Sequence, residues 1–317
     1  MFVPSCGAAA ILAGLRSSKP PRSNPLSIPG HELHRSGAAR ALALTAVAML
    51  AFAANSVLCR LALGQHLIDP ASFAAVRVFT AAATLIPIVL PRWRAHGRSR
   101  GNWRSAGVLF AYLVSFSFAY LSLSAGTGAL ILFGAAQLTM IGSALRDGDS
   151  FPPLARAGFV LAVAGLVVLV APGVTAPNPM GALLMAIAGL AWGLYSLLGR
   201  GAGDPLQVTA NNFIYLVPCV IVLGVAFAGE RHLSAEGLAL AALSGSLASG
   251  LGYVAWYAAQ KRLSAITAAT VQLSVPVIAA LGGLVLMTEQ MTLRLVLASC
   301  ATLGGIAIVF TRRASRS

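Results

Sequence analysis

Phe52-Ala53-Ala54-Asn55-Ser56-Val57-Leu58-Cys59-Arg60 returns 140 positions later as Trp192-Gly193-Leu194-Tyr195-Ser196-Leu197-Leu198-Gly199-Arg200. An aromatic opens each copy, a small residue follows, Ser56 meets Ser196, and an Arg closes it. The same offset pairs Leu123-Ser124-Ala125-Gly126-Thr127 with Leu263-Ser264-Ala265-Ile266-Thr267, Asp149 with Glu289, and Gly165 with Gly305. Landmarks that keep one offset over this distance mark a duplicated unit, and an internal repeat decides the fold before any local pattern does.

The medium is set by composition. The chain has 317 residues, of which 58% are hydrophobic and 9% charged, and its mean hydropathy is +0.83. Soluble domains carry about 25% charge, so this is a membrane protein. The formal net charge of +14 comes mostly from Arg in tails and short loops. No continuous basic face with stacking aromatics is present, which excludes nucleic acid as a partner. Cys6, Cys59, Cys219 and Cys300 show no paired spacing and read as small apolar residues.

Residues 1–40 are rich in Pro, Ser, Gly and basic residues and read as a disordered cytoplasmic tail; a misplaced translation start is the other reading. From Ala41 the chain becomes ten apolar runs of near-spanning length: 41–63, 71–90, 106–124, 127–145, 155–172, 181–199, 206–228, 236–258, 264–287 and 293–311. None alternates with period two, so these are helices and not barrel strands. The fold expected is an all-α polytopic protein with ten transmembrane helices as two inverted five-helix repeats, 41–172 and 180–311. A basic cytoplasmic C-terminus follows at 312–317.

Basic residues set the orientation. With the N-terminus inside, Arg60, Arg231 and Arg294 are the only ones in outer segments, and Arg77 lies within a helix. Every other Lys and Arg falls inside, as the positive-inside rule requires. Both termini are then cytoplasmic, and the expected location is the cell inner membrane. Five helices per repeat force the second copy to enter the bilayer upside down. Inverted repeats are the architecture of secondary transporters, with binding near the midplane and rocking of one half on the other.

These residues resemble the drug/metabolite transporter superfamily, in its ten-helix form with two EamA domains, over about residues 41–311. The family's first-helix pattern, Trp-Gly-x-Asn with a basic residue eight after the Trp, is matched by Phe52, Ala53, Asn55 and Arg60. The second copy keeps Trp192, Gly193 and Arg200 but has Tyr195 at the Asn position. The Pro-then-Arg entry to the second helix is Pro70 and Arg77; its counterpart is Pro205 and Asn212. The fourth-helix Pro is Pro276, with Ala136 in the first copy. Asp149 and Glu289 match the acidic residue that opens the fifth helix. The resemblance implies that the first, third and fourth helices of each repeat surround the central path. It also implies export of amino acids or related metabolites.

Arg77 stands about 10 Å inside its helix. Burying it costs at least about 2.5–3.5 kcal/mol on insertion scales. Two readings answer that cost: a structural tie between helix ends, or a contact to a substrate carboxylate. No Asp or Glu lies mid-helix, which disfavours the carboxylate-based export of lipophilic cations. Asp149 and Glu289 are expected to cap the helix that follows each.

The other polar groups within helices are neutral. Gln272 lies four before Pro276, whose missing N–H frees a carbonyl there, so an irregular, cavity-lining turn is expected. Asn55, Gln137, Trp192 and Gln272 are the first lining candidates, with Tyr120, Tyr195, Tyr253, Trp256 and Pro276 beside them; helix–helix hydrogen bonding is the competing reading for each. Tyr253, Trp256 and Tyr257 form either an interfacial aromatic belt or a gate. Gly245, Ser249, Gly250 and Gly252 make a small-residue face for close packing.

An intramembrane enzyme is the rival class. His31, His34, His66, His96 and His232 all fall in the tail or near loops, and there is no paired intramembrane Asp, metal-ligand cluster or Walker loop. The reading is therefore a non-enzymatic secondary transporter of small polar metabolites, without metal or cofactor. Uptake of a sugar or nucleotide derivative, or a role other than transport, is the alternative. Its partners are a small-molecule substrate and the lipid bilayer. The residues leave open the coupling ion, with a proton among the candidates, and assembly as a homodimer.

Overall fold

The computed structural model describes residues 30–98, 101–147, 152–199, 203–263 and 265–314. Contacts divide the chain into Met1–Ala38 and Ala39–Ser317, and the membrane-spanning helices all belong to the second unit. Most of the expected tail, as well as Asp149, Arg200 and Ser264, lies outside the described residues.

The described residues form ten helices and no strand. They are α1 (Ala39–Gly64), α2 (Pro70–His96), α3 (Trp103–Ala119), α4 (Ala125–Arg146), α5 (Pro153–Val170), α6 (Pro179–Leu198), α7 (Pro205–Ala226), α8 (Ala235–Gln260), α9 (Ala265–Val271 and Ser274–Met287) and α10 (Leu293–Ala314). Nine are long and apolar enough to cross a membrane; α3, with 17 residues, is the shorter one. The chain is a multi-pass membrane protein.

Local chemistry explains where these helices start. Pro70, Pro153, Pro179 and Pro205 sit in the first turn, where no N–H is needed. Before them, Asp69, Asn178 and Asp204 accept backbone N–H groups at 2.8–3.0 Å; Asn102, Ser124 and Ser234 do the same for α3, α4 and α8.

Two helices depart from the expected runs. α2 does not stop before Pro91 but continues through Pro87 and Pro91 to His96. The two prolines are four apart and share a face, so the carbonyls they free lie on one side of the helix. α9 breaks at Gln272-Leu273, as the placement of Pro276 predicts. There Leu273 N–H bonds to Thr270 and Val275 N–H to Gln272, three residues back instead of four.

α8 carries a wide-turn π segment, Ser244–Leu251. Its small residues let α2 and α1 approach: a Cβ on Gly250 would lie 2.9 Å from the Thr84 side chain, and one on Gly252 3.0 Å from Ala51. This is the close packing the small-residue face predicts.

Helix pairs follow a twofold rule in which each helix exchanges with the one five later. α2 packs on α7, α4 on α9 and α5 on α10; the contact of α3 with α7 has its mate in α2 with α8. The rule holds to single residues. Gly165 faces Thr302 and Ala298, and Gly305 faces Ala162 and Gly158. Adding 140 to Gly165 gives Gly305, and subtracting 140 from Thr302 and Ala298 gives Ala162 and Gly158.

Candidate functional site

Between α3, α6, α7, α8 and α9 lies a cavity of about 300 Å³. Gly199, Pro205 and Gln260, at the ends of α6, α7 and α8, form its mouth, on the side to which Ala39 and Ala314 belong. A shallower pocket shares Pro205, Tyr257 and Gln260 and brings Arg92, Asp204 and Lys261 to that mouth. The inner wall is Trp192. Among the lining residues, every polar group is neutral: Ser105, Tyr195, Ser196, Thr209, Tyr257, Gln260 and Gln272.

A hydrogen-bonded chain runs along one wall. Tyr195 OH lies 3.0 Å from Thr209 Oγ1, which lies 2.8 Å from Tyr257 OH. Asn212 Nδ2 donates to Tyr195 OH at 3.2 Å and to Ser105 Oγ at 3.1 Å. Asn212 is fully buried, and its Oδ1 has no hydrogen-bond partner among the described residues.

Behind Trp192 is a second, smaller chamber of about 20 Å³ lined by Asn55, Arg77, Tyr112 and Ser249 among others. Trp192 belongs to both walls. Its ring meets those of Phe52, Tyr112, Tyr195 and Tyr253 at centroid distances of 5.2–6.3 Å. Such pairs contribute about 0.5–1.5 kcal/mol each beyond area burial, so the partition is a packed one. Arg77 is 1% exposed. It donates from Nε to Ser249 Oγ and from Nη2 to Tyr112 OH, both at 3.1 Å. Its Cζ stands 5.4 and 5.0 Å from the ring centres of Tyr112 and Phe116.

The far end is shut. Arg60 Nε lies 2.9 Å from Glu289 Oε1. The loop after α1 is tied to the loop before α8 by Asp69 Oδ2, which accepts His232 N–H at 3.2 Å, and by Ser234 N–H bonded to Leu67 O at 3.0 Å.

Comparison with known proteins decides the family. Residues 179–311 match the model of the EamA-like transporter family. Over 278 residues the chain is 51% identical to the uncharacterized protein PA1977 of Pseudomonas aeruginosa, covering 88% of this chain and 97% of that one. An uncharacterized transporter of Archaeoglobus fulgidus is 25% identical over 265 residues, 78% of this chain and 90% of its own length. This chain belongs to the EamA-like transporter family. It is thus a membrane transporter of the drug/metabolite transporter superfamily. A solved crystal structure, titled only as that of a protein, shares the fold with a TM-score of 0.59 at 23% identity, over 86% of this transporter and 97% of that chain.

Most candidates read from the transporter's sequence meet at the partition. Trp192, Tyr195, Trp256 and Gln272 line the open cavity, and Asn55, Arg77, Trp192 and Tyr253 the smaller chamber. Three do not line either. Tyr120 is buried near the shut end with its OH 3.4 Å from Ala125 O, Gln137 reaches Ala269 O at 3.4 Å, and Pro276 is buried beyond the α9 break.

Two expectations are corrected. Tyr253 and Trp256 are 2% and 3% exposed and pack on Phe52 inside the bundle, so they are not an interfacial belt. Glu289 does not cap the helix that follows it. Its Oε2 accepts the N–H of Ala125 at the start of α4 at 2.8 Å, while Thr292 caps α10. The reason is distance along the loop: Glu289 sits four residues ahead of α10 and turns back toward Arg60. Tyr112 is a site residue that sequence reading did not single out, since one aromatic within an apolar run carries no signal of its own, and Ser249 was read only as part of the small-residue packing face.

Proposed function

We propose that this transporter is a secondary carrier that exports small polar metabolites, amino acids or related compounds, across the inner membrane by alternating access. The five-helix units 41–172 and 180–311 are the moving halves, and the mouth beside Gly199, Pro205 and Gln260 faces the cytoplasm with both termini. One observation carries the reading: a cavity open at one end, stopped at Trp192, with the opposite end closed by Arg60 and Glu289. A channel would be continuous, and a scaffold would need no cavity. A volume of about 300 Å³ suits a small metabolite. Its neutral hydroxyl, amide and aromatic lining favours a small polar solute over a lipophilic cation.

The test is metabolite profiling of medium from cells that overproduce the protein, followed by flux of each enriched compound in proteoliposomes. Enrichment outside, with saturable flux, is expected. Accumulation inside the cells instead would replace export with uptake. No compound moved by protein that is present in the membrane would overturn transport of this class.

A further inference from the structure

We propose that the small chamber at Arg77 is a monoanion site, built to take one chloride or carboxylate group out of water; the proposal deepens the transport reading and rests on it. Three observations converge. The first is charge. The guanidinium is always protonated, and among the described residues no carboxylate pairs with Arg77: the ion pairs there are Arg60–Glu289 and Arg92–Asp204. Neutral oxygens and ring faces stabilise the cation without neutralising it.

The second is donor direction. Arg77 Nη1 is buried without a hydrogen-bond partner among the described residues. Tyr112 OH accepts from Arg77 Nη2 at 3.1 Å and from Asn55 Nδ2 at 3.5 Å, so its own hydrogen is left to donate. Ser249 Oγ accepts from Arg77 Nε and is in the same position. Ser244 Oγ donates to Asn55 Oδ1 at 2.7 Å, which fixes the amide with its nitrogen toward Tyr112. The polar groups of Arg77, Tyr112 and Ser249 thus offer hydrogens, and the only charge among them is positive. That set selects an anion and rejects a cation.

The third is the asymmetry between the halves. Asn212 stands where the second repeat would carry Arg77's equivalent, and it too is buried with an unpartnered polar atom, Oδ1, which is an acceptor. One half therefore presents an unpaired donor with full charge and the other an unpaired neutral acceptor. The chamber, at about 20 Å³, holds one water-sized group. A chloride, a little larger than water, or the carboxylate of a carried solute would enter as Trp192 yields.

The test uses the purified full-length protein in detergent. Its thermal midpoint and Trp fluorescence are followed while sodium chloride, or sodium acetate, replaces sodium gluconate at constant ionic strength. A saturable response to chloride or to acetate is expected. Chloride alone acting identifies a bound inorganic ion; acetate acting identifies a carboxylate subsite. Arg77→Gln should weaken the apparent affinity by about tenfold or more, as loss of a charged hydrogen-bond donor does. Tyr112→Phe, which keeps the ring and removes the hydroxyl, should weaken it several-fold and serves where Arg77→Gln does not fold. Arg92→Gln, at the exposed mouth, should respond as the unaltered protein does. A saturable response to neither anion, or an equal response in Tyr112→Phe and Arg92→Gln, overturns the site. Solute flux measured separately in gluconate keeps the two proposals apart: flux without an anion response removes this site alone, and an anion response without flux removes the transport reading alone.

Discussion

Arg60 and Glu289, 229 positions apart, join the last turn of α1 to the loop before α10 through a 2.9 Å contact. Neither residue stops there. Arg60 Nη1 donates to the carbonyls of Tyr120 and Leu121 at the C-terminal end of α3, at 3.1 and 3.3 Å. Glu289 holds the N-terminal N–H of Ala125 on α4. The cation meets carbonyls and the anion meets an N–H, which is the arrangement helix dipoles favour. One ion pair thus closes four chain segments at the end opposite the cavity mouth.

Glu289→Gln should lower stability by about 1–3 kcal/mol, the range for loss of charged hydrogen bonds in a partly buried place. Thermal unfolding in detergent reads this. Exchanging the pair, Arg60→Glu with Glu289→Arg, should recover only part of the loss, because an Arg at 289 offers nothing to Ala125 N–H. Full recovery would show that only the pair matters and not the helix ends.

Trp192 separates the two cavities, so its size decides what crosses. With cysteine placed at Ser249 in a cysteine-free background, a polar thiol reagent should react slowly. Trp192→Ala should speed that reaction several-fold, and Trp192→Phe much less. Equal rates in all three would mean that the partition lies elsewhere.

The twofold rule makes a paired prediction. A Cβ at Gly165 would lie 2.8 Å from Thr302 N, and one at Gly305 2.6 Å from Ala162 N. Gly165→Val and Gly305→Val should therefore destabilise by similar amounts, about 1–3 kcal/mol or more for overpacking. Gly304, with open space around it, should tolerate Ala and gain slightly in helix propensity. Thermal midpoints of the three variants check the comparison.

At the cavity mouth, Asp204 caps α7 and lies 3.1 Å from Arg92. Partial burial pushes its carboxyl pKa up, but hydrogen bonds from Gln207, then the charge of Arg92 and the backbone N–H groups, hold it below the ordinary value. A lowered folded-state pKa adds stability that is complete above the ordinary carboxylate pKa, about 3.9. That stability is lost as pH falls through the folded value. Asp204→Asn keeps the cap and loses the pair. It should cost under about 1 kcal/mol at neutral pH, and the difference should close in acid. A difference that persists there would assign it to the cap.

Much of the architecture was legible in the sequence, and the reasons are specific. The repeat and the apolar runs are one-dimensional signals, so ten helices follow from them. Pro276 marked the α9 break because a missing N–H acts locally. Pro91 misled for the same reason: its cost depends on neighbouring helices, which a run of residues does not contain. The partners of Arg60 and Glu289 could not be read, since nothing near either residue names the other. Tyr253 and Trp256 were ambiguous because an aromatic near a helix end looks alike whether it faces lipid or Phe52. Arg77 was found by its charge, whereas Tyr112 was hidden among similar residues and Ser249 was legible only as a small residue for packing, not as a partner of Arg77.

The most direct test of alternating access is the sidedness of one cysteine. Ser196, on the cavity wall, is changed to Cys in a cysteine-free background, and a membrane-impermeant thiol reagent is applied to intact cells and to inside-out vesicles. The account predicts fast reaction in inside-out vesicles and slow reaction in cells. It also predicts that Arg60→Gln with Glu289→Gln moves the balance toward reaction in cells. Fast reaction from both sides of the otherwise unaltered protein, or a balance untouched by removing that ion pair, would contradict it.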